Sequence, residues 1–283
     1  MKPIKLTSNY NYIAIFLTFA CNLKCSYCIN NFEHKLIKRK VISGKDVVLG
    51  LNRINAQEDL PVTLQGGEPT LHPDFYYIVN HLKPQLSIDL LTNLQFDVDE
   101  FIKKVEPGRI KRKSPYASIR VSYHPGQMKL EDLIQKTLKL MDAKFSVGIW
   151  GVLYPGLEKV VLDARQECRK LNIDFRVKEF LGEYAGRLYG IYKYPGACDR
   201  KFKKHVKCRT TELLIDSQGR IFRCHADLYS GKNEIGSILD PGFEIEDKFR
   251  DCSDFGHCNP CDVKIKTNRF QQYGHTSVEI KTT

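Results

Sequence analysis

Three cysteines near the N-terminus are the residues of this chain best suited to chemistry. Cys21, Cys25 and Cys28 form a C-x3-C-x2-C run directly after a hydrophobic segment. Three thiolates on one short loop can hold three irons of a 4Fe–4S cube. No fourth cysteine lies nearby in the sequence, so one iron would stay open to an external ligand. An open iron on a reducible cluster suits the binding and cleavage of a small molecule.

The competing interpretation of this run is a zinc loop or a set of buried core cysteines. Structural zinc sites usually close with four protein ligands. Three cysteines within eight residues would need a distant fourth ligand. The run therefore favours an iron–sulfur cluster over zinc.

A glycine-rich segment follows the next predicted strand. Residues 60–65 are typical of a short buried strand, and Gly66, Gly67, Glu68 and Pro69 come directly after it. Paired glycines let the backbone approach a ligand more closely than a residue with a Cβ could, and Glu68 adds a hydrogen-bond acceptor. Gly-Gly at a strand end is also common in simple turns.

Together, the cysteine run and the Gly-Gly-Glu-Pro segment resemble the radical S-adenosylmethionine (SAM) enzymes. Members of that family carry an aromatic residue before the last cysteine, and Tyr27 fills that place. In the family, SAM chelates the open iron, and the segment equivalent to residues 66–69 grips its amino group. Reductive cleavage of SAM then yields a 5′-deoxyadenosyl radical. The resemblance implies an enzyme with a 4Fe–4S cluster and SAM as cofactors.

Residues 12–180 alternate strand-like and helix-like segments, which is typical of a parallel α/β sheet. The predicted strands are 12–18, 62–65, 87–91, 118–122, 146–153 and 174–180. The predicted helices are 44–54 with Ser43 as its cap, 75–82, 98–105, 130–142 and 158–171. Six units predict a partial (β/α)6 barrel, because a closed barrel needs eight. Radical SAM enzymes commonly adopt such a partial barrel, and the candidate motifs all follow its strands.

Further polar residues lie at the ends of later strands, where parallel barrels place their chemistry. Thr92 and Asn93 match a Thr-Asn pair that is common in the resembled family. By the same resemblance, Ser122 would bind the SAM ribose, although His124 stands where the family often has an Asp. His124 and Glu179 are the candidate catalytic acids or bases. Strand-end capping is the alternative role for such polar residues.

A second group of cysteines follows the predicted barrel. Cys208 and Cys224 flank a predicted hairpin with strands 212–216 and 220–223. Gly219 supplies the turn conformation. The hairpin is therefore expected to bring the two flanking cysteines side by side.

The C-x2-C pair of Cys258 and Cys261 could grip one metal or one cluster edge. The order C-x10-G-x4-C, a gap, then C-x2-C resembles the SPASM/twitch extension of radical SAM enzymes, which binds auxiliary 4Fe–4S clusters. The resemblance implies one auxiliary cluster with four ligands, Cys208, Cys224, Cys258 and Cys261. A structural zinc site with four cysteines is the alternative. Cys198 and Cys252 stay open as replacement ligands, hydrogen-atom donors or packing residues.

The predicted domains are a barrel over residues 1–182, a linker over 183–207 and an auxiliary-cluster domain over 208–283. The chain has 283 residues, ten cysteines and no apolar stretch approaching the ~18 residues of a membrane span. It shows no signal peptide. Many cysteines without a secretion signal favour metal ligation in a reducing cytoplasm.

The formal net charge is +11, with basic clusters at residues 35–40, 109–113 and 201–207. Such charge would favour one of three kinds of binding partner. They are an acidic electron donor such as flavodoxin or ferredoxin, an anionic substrate, and nucleic acid. Solvated surface is the plain alternative.

The predicted function is hydrogen abstraction from a small molecule, giving a two-electron oxidation or related modification aided by the auxiliary cluster. The first strand begins near residue 12, which leaves no room for an N-terminal peptide-recognition domain and favours a small molecule. A peptide maturase that forms thioethers or crosslinks or epimerises residues is the alternative. A zinc-stabilised nucleic-acid-binding protein is the alternative of another class, but it explains neither the cysteine run nor the Gly-Gly-Glu-Pro segment.

Overall fold

The computed structural model describes residues 1–30, 39–56, 60–267 and 272–282. Residues 35–38 of the first basic cluster lie outside this described part. The strands are, in chain order, β1 (Ile4–Lys5), β2 (Tyr12–Thr18), β3 (Ile54–Asn55), β4 (Val62–Gly66), β5 (Ile88–Thr92), β6 (Ile119–Tyr123), β7 (Val147–Leu153), β8 (Phe175–Glu179), β9 (Gly182–Tyr184), β10 (Arg187–Tyr189), β11 (Lys204–Thr210), β12 (Glu212–Ile215), β13 (Arg220–Phe222), β14 (Glu234–Ser237), β15 (Arg250–Phe255), β16 (Lys266–Thr267), β17 (Tyr273–His275) and β18 (Val278–Thr282).

The barrel strands β2, β4, β5, β6, β7 and β8 pair in parallel in that order, which confirms the predicted partial barrel. Each predicted strand is present with bounds within one or two residues of the expectation. The helices are α1 (Gly44–Leu51), α2 (Phe75–His81), α3 (Val98–Lys104), α4 (Leu130–Asp142), α5 (Glu158–Lys170), α6 (His225–Ser230) and α7 (Pro260–Val263). Ser43 caps α1 as predicted, because its hydroxyl accepts a hydrogen bond from Asp46 N at 3.2 Å.

Alternation along each strand separates two faces of the sheet. On β2, Ile13 and Ile15 belong to the main core between the sheet and the helices. Ala14 and Phe16 point to the other face and join a smaller aromatic cluster. Because side chains of a strand alternate with a period of two, this second face forms the inner lining of the barrel.

The predicted C-terminal hairpin is present, and it extends the barrel sheet. Strand β12 pairs in parallel with β2, and β13 and β14 follow antiparallel, giving nine strands in the order β14-β13-β12-β2-β4-β5-β6-β7-β8. Gly219 has φ +77°, the left-handed conformation expected at the hairpin turn. The barrel sheet thus contains strands from both sides of residue 208, the predicted start of the auxiliary-cluster domain. The division into domains stays a prediction.

The remaining C-terminal strands form a small separate sheet in the order β15-β11-β18. Its core contains Val206, Phe255 and Val263, with five cysteines packed against them. None of the ten cysteines, all of which lie in the described part of the chain, forms a disulfide. Among the described helices, none is both long and apolar enough to cross a membrane.

Candidate active site

The N-terminal cysteines lie on a compact loop directly after β2. The loop turns at Cys25, whose carbonyl accepts a hydrogen bond from Cys28 N at 3.2 Å. Burial, together with the nearby thiols of Cys28 and Cys21, raises the pKa of Cys25 to about 12. A bound metal would reverse this effect, because coordination deprotonates a thiol. The three sulfurs are thus close neighbours, as a shared cluster requires.

In the described part of the chain, no three His, Cys, Asp or Glu side chains converge tightly enough to ligate a single metal ion. A 4Fe–4S cube is held differently, because each thiolate binds a separate iron. Its ligands surround the cube and stand farther apart than the ligands of one ion. The arrangement of Cys21, Cys25 and Cys28 is compatible with that requirement.

Polar side chains from two strand ends fasten the cysteine loop. Asn93, after β5, donates from Nδ2 to Asn22 Oδ1 at 2.7 Å and to Cys21 Sγ at 3.7 Å. Gln127, beyond β6, accepts from Lys24 N at 3.1 Å. The loop is therefore held in one place by neutral hydrogen bonds.

Gly66 and Gly67 allow the end of β4 to approach this loop closely. A Cβ at Gly66 would lie 2.1 Å from Thr18 O, and one at Gly67 would lie 2.1 Å from Ala20 O. The space is used by two backbone bonds, from Gly67 N to Thr18 O and from Glu68 N to Ala20 O, both 2.8 Å. The paired glycines thus support the chain that enters the cysteine loop, a reason that the sequence did not reveal.

Glu68 is fully buried and joins the ends of β4 and β5. Its carboxylate accepts from Thr70 Oγ1, Thr92 Oγ1 and Asn93 N, each at 2.7 Å. Burial raises the pKa of Glu68, and these bonds oppose the rise. Pro69 begins a short 3₁₀ turn directly afterwards. Glu68 and Thr92 therefore position the site, and direct contact with SAM stays a prediction for both.

Tyr27 of the cysteine loop contacts His124, which follows β6. The Tyr27 hydroxyl lies 3.1 Å from His124 Nδ1, and the Tyr27 ring stacks on Tyr154 with centroids 4.7 Å apart. Burial lowers the pKa of His124 to about 4, so the imidazole is neutral near pH 7. His124 is thus a hydrogen-bond partner of the motif tyrosine, and a role as catalytic base stays a prediction.

The other candidate polar residues line the same barrel. Ser122 is half-buried on the inner face of β6, in register with Trp150 of β7. Glu179, the other candidate base, is exposed at the end of β8 and forms an ion pair with Lys264 Nζ at 3.1 Å. The structure therefore brings a residue of the C-terminal region to the barrel rim.

The C-terminal cysteines form a second thiol group. Cys208 on β11 and Cys252 on β15 are diagonal neighbours on paired strands, since Cys252 is in register with Val206, and Cys208 also interacts electrostatically with Cys224 and Cys258. This interaction raises the pKa of the Cys208 thiol and lowers the pKa of the Cys252 thiol. Cys252, which had no assigned role, thus lies among the predicted ligands.

Cys198 joins the same group from the other side. Its thiol interacts with Cys261 and with Cys258, which links the two ends of the group. Five of the six thiols thus pack against the core of the small sheet, and the sixth, Cys261, interacts with Cys198. A cube needs four such thiols. The sequence did not predict this assembly, because its parts meet only in the folded chain. They are β11, β15 and the segment with Cys198, which precedes the short 3₁₀ turn Arg200–Phe202.

Aromatic and polar contacts connect the two thiol groups. Tyr229 on α6 donates to Asn30 Oδ1 at 2.7 Å, and Asn30 Nδ2 donates to Gly66 O at 2.5 Å. His225, next to Cys224, lies 2.8 Å from Asp262 Oδ1. The sequence analysis singled out none of Asn30, Tyr229 and Asp262, although Asn30 lies two residues after Cys28.

Comparison with known proteins decides the family. A family profile described as the radical SAM superfamily matches residues 15–151, which run from within β2 through the cysteine loop and into β7. The chain thus contains a radical SAM domain over these residues. This radical SAM protein is therefore an enzyme, as predicted.

Curated relatives include two GTP 3′,8-cyclases. That of Nautilia profundicola is 23% identical over 186 residues, covering 62% of this chain and 58% of the relative. That of a Sulfurovum species is 24% identical over 241 residues, covering 82% of this chain and 72% of the relative. This radical SAM enzyme thus spans little more than half the length of the first relative.

Solved structures show the same fold. Streptococcus suis SuiB bound to S-adenosylmethionine superposes with a TM-score of 0.55 at 17% identity, covering 85% of this chain and 64% of SuiB. The enzyme anSMEcpe with bound AdoMet gives a TM-score of 0.54 at 17% identity, covering 84% and 78%. These similarities confirm the α/β architecture of the radical SAM enzyme.

Proposed function

We propose that this enzyme holds a 4Fe–4S cluster on Cys21, Cys25 and Cys28 and cleaves SAM reductively at that cluster. When bound, these groups supply a 5′-deoxyadenosyl radical that abstracts hydrogen from the substrate. The observation that carries the proposal is the fixed thiol loop at the carboxyl ends of the barrel strands. Structural relatives with SAM bound in the same fold support it.

The proposed SAM site is built from the strand ends around the loop. Tyr27 and Ser122 would contact SAM directly. Gly66, Gly67 and Pro69 would shape the backbone beside it. Glu68, Thr92 and Asn93 would fix the loop through the bonds described above. His124, neutral near pH 7, and the exposed carboxylate of Glu179 are the proposed acid or base groups.

We assign an auxiliary 4Fe–4S cluster to the C-terminal thiol group. Cys208, Cys224, Cys258 and Cys261 are the proposed ligands, and Cys198 and Cys252 lie close enough to replace one of them. When bound, such a cluster can accept one electron. The substrate would then be oxidised by two electrons in all. It would lose one hydrogen atom to the 5′-deoxyadenosyl radical, one proton to a side-chain base and one electron to this cluster. Zinc remains the rival metal for this group.

A small-molecule substrate is the first candidate. The curated relatives are named for GTP, which is a small phosphorylated compound. A peptide is the second candidate, because anSMEcpe, of similar fold (TM-score 0.52), has been solved with a Kp18Cys peptide. The family assignment leaves a zinc-stabilised nucleic-acid-binding role without support.

The electron donor is proposed to be an acidic protein such as flavodoxin or ferredoxin. The net charge of +11 favours such a partner. The proposed compartment is the cytoplasm, where ten cysteines without disulfides stay reduced.

The test is anaerobic reconstitution with iron and sulfide. Two cubes predict about eight irons per chain, and bound zinc in their place would contradict the auxiliary assignment. Deuterated candidate substrates should transfer label into 5′-deoxyadenosine. A small phosphorylated compound that transfers label supports the first candidate, and a peptide that does so supports the second.

A further inference from the structure

The basic cluster at residues 201–207 forms an exposed surface next to the C-terminal thiol group. Lys201, Lys203 and Lys204 are all exposed, and among the residues that the structure describes none of the three forms an ion pair. The nearby carboxylate of Asp199 accepts a hydrogen bond from Lys201 N at 3.0 Å and so caps the short turn Arg200–Phe202. The turn therefore presents lysine charges to the solvent.

The basic cluster at residues 109–113 is used differently, because the fold engages its arginines. Arg109 donates to three backbone carbonyls at 3.0 to 3.2 Å. Arg112 Nε lies 2.8 Å from Asp89 Oδ1. These contacts hold the segment before β6 against the barrel, whereas no such contact explains the lysines of the turn.

The turn packs directly on the chain that carries the C-terminal cysteines. A Cβ at Gly196, two residues before Cys198, would lie 2.8 Å from Phe202 Cγ. Ala197 O accepts a hydrogen bond from Cys258 N at 3.0 Å, which joins this chain to the C-x2-C pair. A molecule bound at the turn would therefore sit beside two of the C-terminal thiols.

Strand β11 continues the same surface. Cys208 packs against the core of the small sheet, whereas Lys207 is exposed with its Nζ 4.0 Å from Asp251 Oδ1. Because successive side chains of a strand point to opposite faces, Lys207 lies on the outer face of the strand that covers Cys208. At the start of β11, Lys204 Nζ lies 4.6 Å from the centre of the Phe255 ring. Only one layer of strands thus separates these lysines from the thiols.

Phe202 gives the surface an apolar centre. The residue is 57% exposed, and Lys201 and Lys203 flank it in the chain. An exposed aromatic ring within a charged rim is the usual composition of a protein-docking surface. In such a surface the charges mainly speed encounter with a partner of opposite charge.

We propose that residues 199–204 and the outer face of β11 form a docking surface for an acidic one-electron carrier protein, such as a flavodoxin or ferredoxin. This inference rests on the proposed function, because the auxiliary cluster is the group that the carrier would meet. The oxidised carrier would take up one electron, the one that oxidation of the substrate leaves on that cluster. No atom passes between the two proteins. Electron-transfer encounters need only small interfaces, below ~1,200 Å² in total.

The test is the association of oxidised flavodoxin with the reconstituted enzyme, measured without oxygen at low ionic strength. The double variant Lys201→Glu/Lys203→Glu should lower the association rate constant about tenfold or more, since charge steering speeds encounter by about 10- to 1,000-fold. Lys111→Glu/Lys113→Glu is the matched control, because it changes another exposed Lys-x-Lys pair and lowers the net charge equally. The control should keep most of the wild-type rate constant. The difference should shrink at high salt, which screens exposed charges.

Equal rate constants for the wild type and Lys201→Glu/Lys203→Glu would overturn the docking surface, as would an equal loss in the control variant. A single-stranded oligonucleotide may be tested on the same proteins. If it binds the wild type more tightly than flavodoxin does and loses that binding in the double variant, the surface belongs to nucleic acid and the proposal is overturned.

Iron content and the cleavage of SAM with dithionite are measured on the same preparations. Dithionite needs no docked protein, so both should be unchanged in Lys201→Glu/Lys203→Glu. Zinc in the C-terminal group, or no cleavage by the wild type, would overturn the proposed function. Loss of flavodoxin association in the double variant alone would then leave the docking surface standing without its electron acceptor role.

Discussion

The two thiol groups of this enzyme are built in opposite ways. The N-terminal group comes from eight consecutive residues and is held by neutral amide and backbone hydrogen bonds, such as those of Asn93 and Gly67. The C-terminal group gathers six cysteines from residues 198–261, with Asp262 and Arg223 charged nearby. The first is thus a local motif placed on a rigid barrel, whereas the second exists only once several strands have paired.

The largest effect is expected from Gly67→Ala, which tests whether the N-terminal loop depends on its backbone support. The added Cβ would meet Ala20 O at 2.1 Å and displace the chain before Cys21. We expect loss of about four of the eight irons per chain, although no cysteine is changed. Gly108→Ala is the control, because no described atom apart from those of its chain neighbours lies within 4 Å of its Cβ position. Full iron content in Gly67→Ala would show that the loop tolerates the displacement.

The second effect tests whether the two groups are independent. Cys208 interacts with Cys224, Cys252 and Cys258, so Cys208→Ala should remove the auxiliary cluster, about four irons. The N-terminal cluster should stay, as its electron paramagnetic resonance signal after reduction would show. Cys168→Ala is the control, since Cys168 is buried in the barrel core away from both groups. Loss of both clusters in Cys208→Ala would show that the two thiol groups are not independent.

The contrast also separates what the sequence predicted from what it did not. The barrel strands and Ser43 were predictable because hydrophobic alternation and capping are local signals. The N-terminal thiols were predictable for the same reason. The neighbours of Cys252, and the bond from Tyr229 to Asn30, depend on pairing between segments far apart in the chain. The close approach of Gly66 to Thr18 O was not predictable, because this neighbour is backbone that the sequence cannot place.

A smaller effect is expected from Asn93→Ala, which removes the bonds to Asn22 and Cys21. Loss of such bonds costs about 1 kcal/mol, so iron should leave the N-terminal cluster about fivefold faster in the presence of a chelator. Asn80→Ala is the control, because it removes a single exposed bond to Lys104 O at 2.8 Å. An unchanged release rate in Asn93→Ala would assign the support of the loop to the backbone alone.

The smallest effect is expected on the pH dependence of the free energy of unfolding, through Lys178 on β8 beside the C-terminal thiol group. The folded protein lowers the pKa of Lys178 from 10.5 to about 8, so between these values the unfolded chain binds more protons. The free energy of unfolding of the wild type should therefore rise with pH in this window, relative to Lys178→Met. Urea unfolding at pH 7.5, 8.5 and 9.5 measures the difference. Parallel curves for the two proteins would place Lys178 in open solvent.

Formation of 5′-deoxyadenosine from SAM tests the central claim most directly. Wild-type protein and Cys25→Ala are reconstituted side by side without oxygen and reduced with dithionite. The account predicts steady formation of 5′-deoxyadenosine by the wild type and none above background by Cys25→Ala. No product from the wild type, or equal product from both proteins, would contradict it.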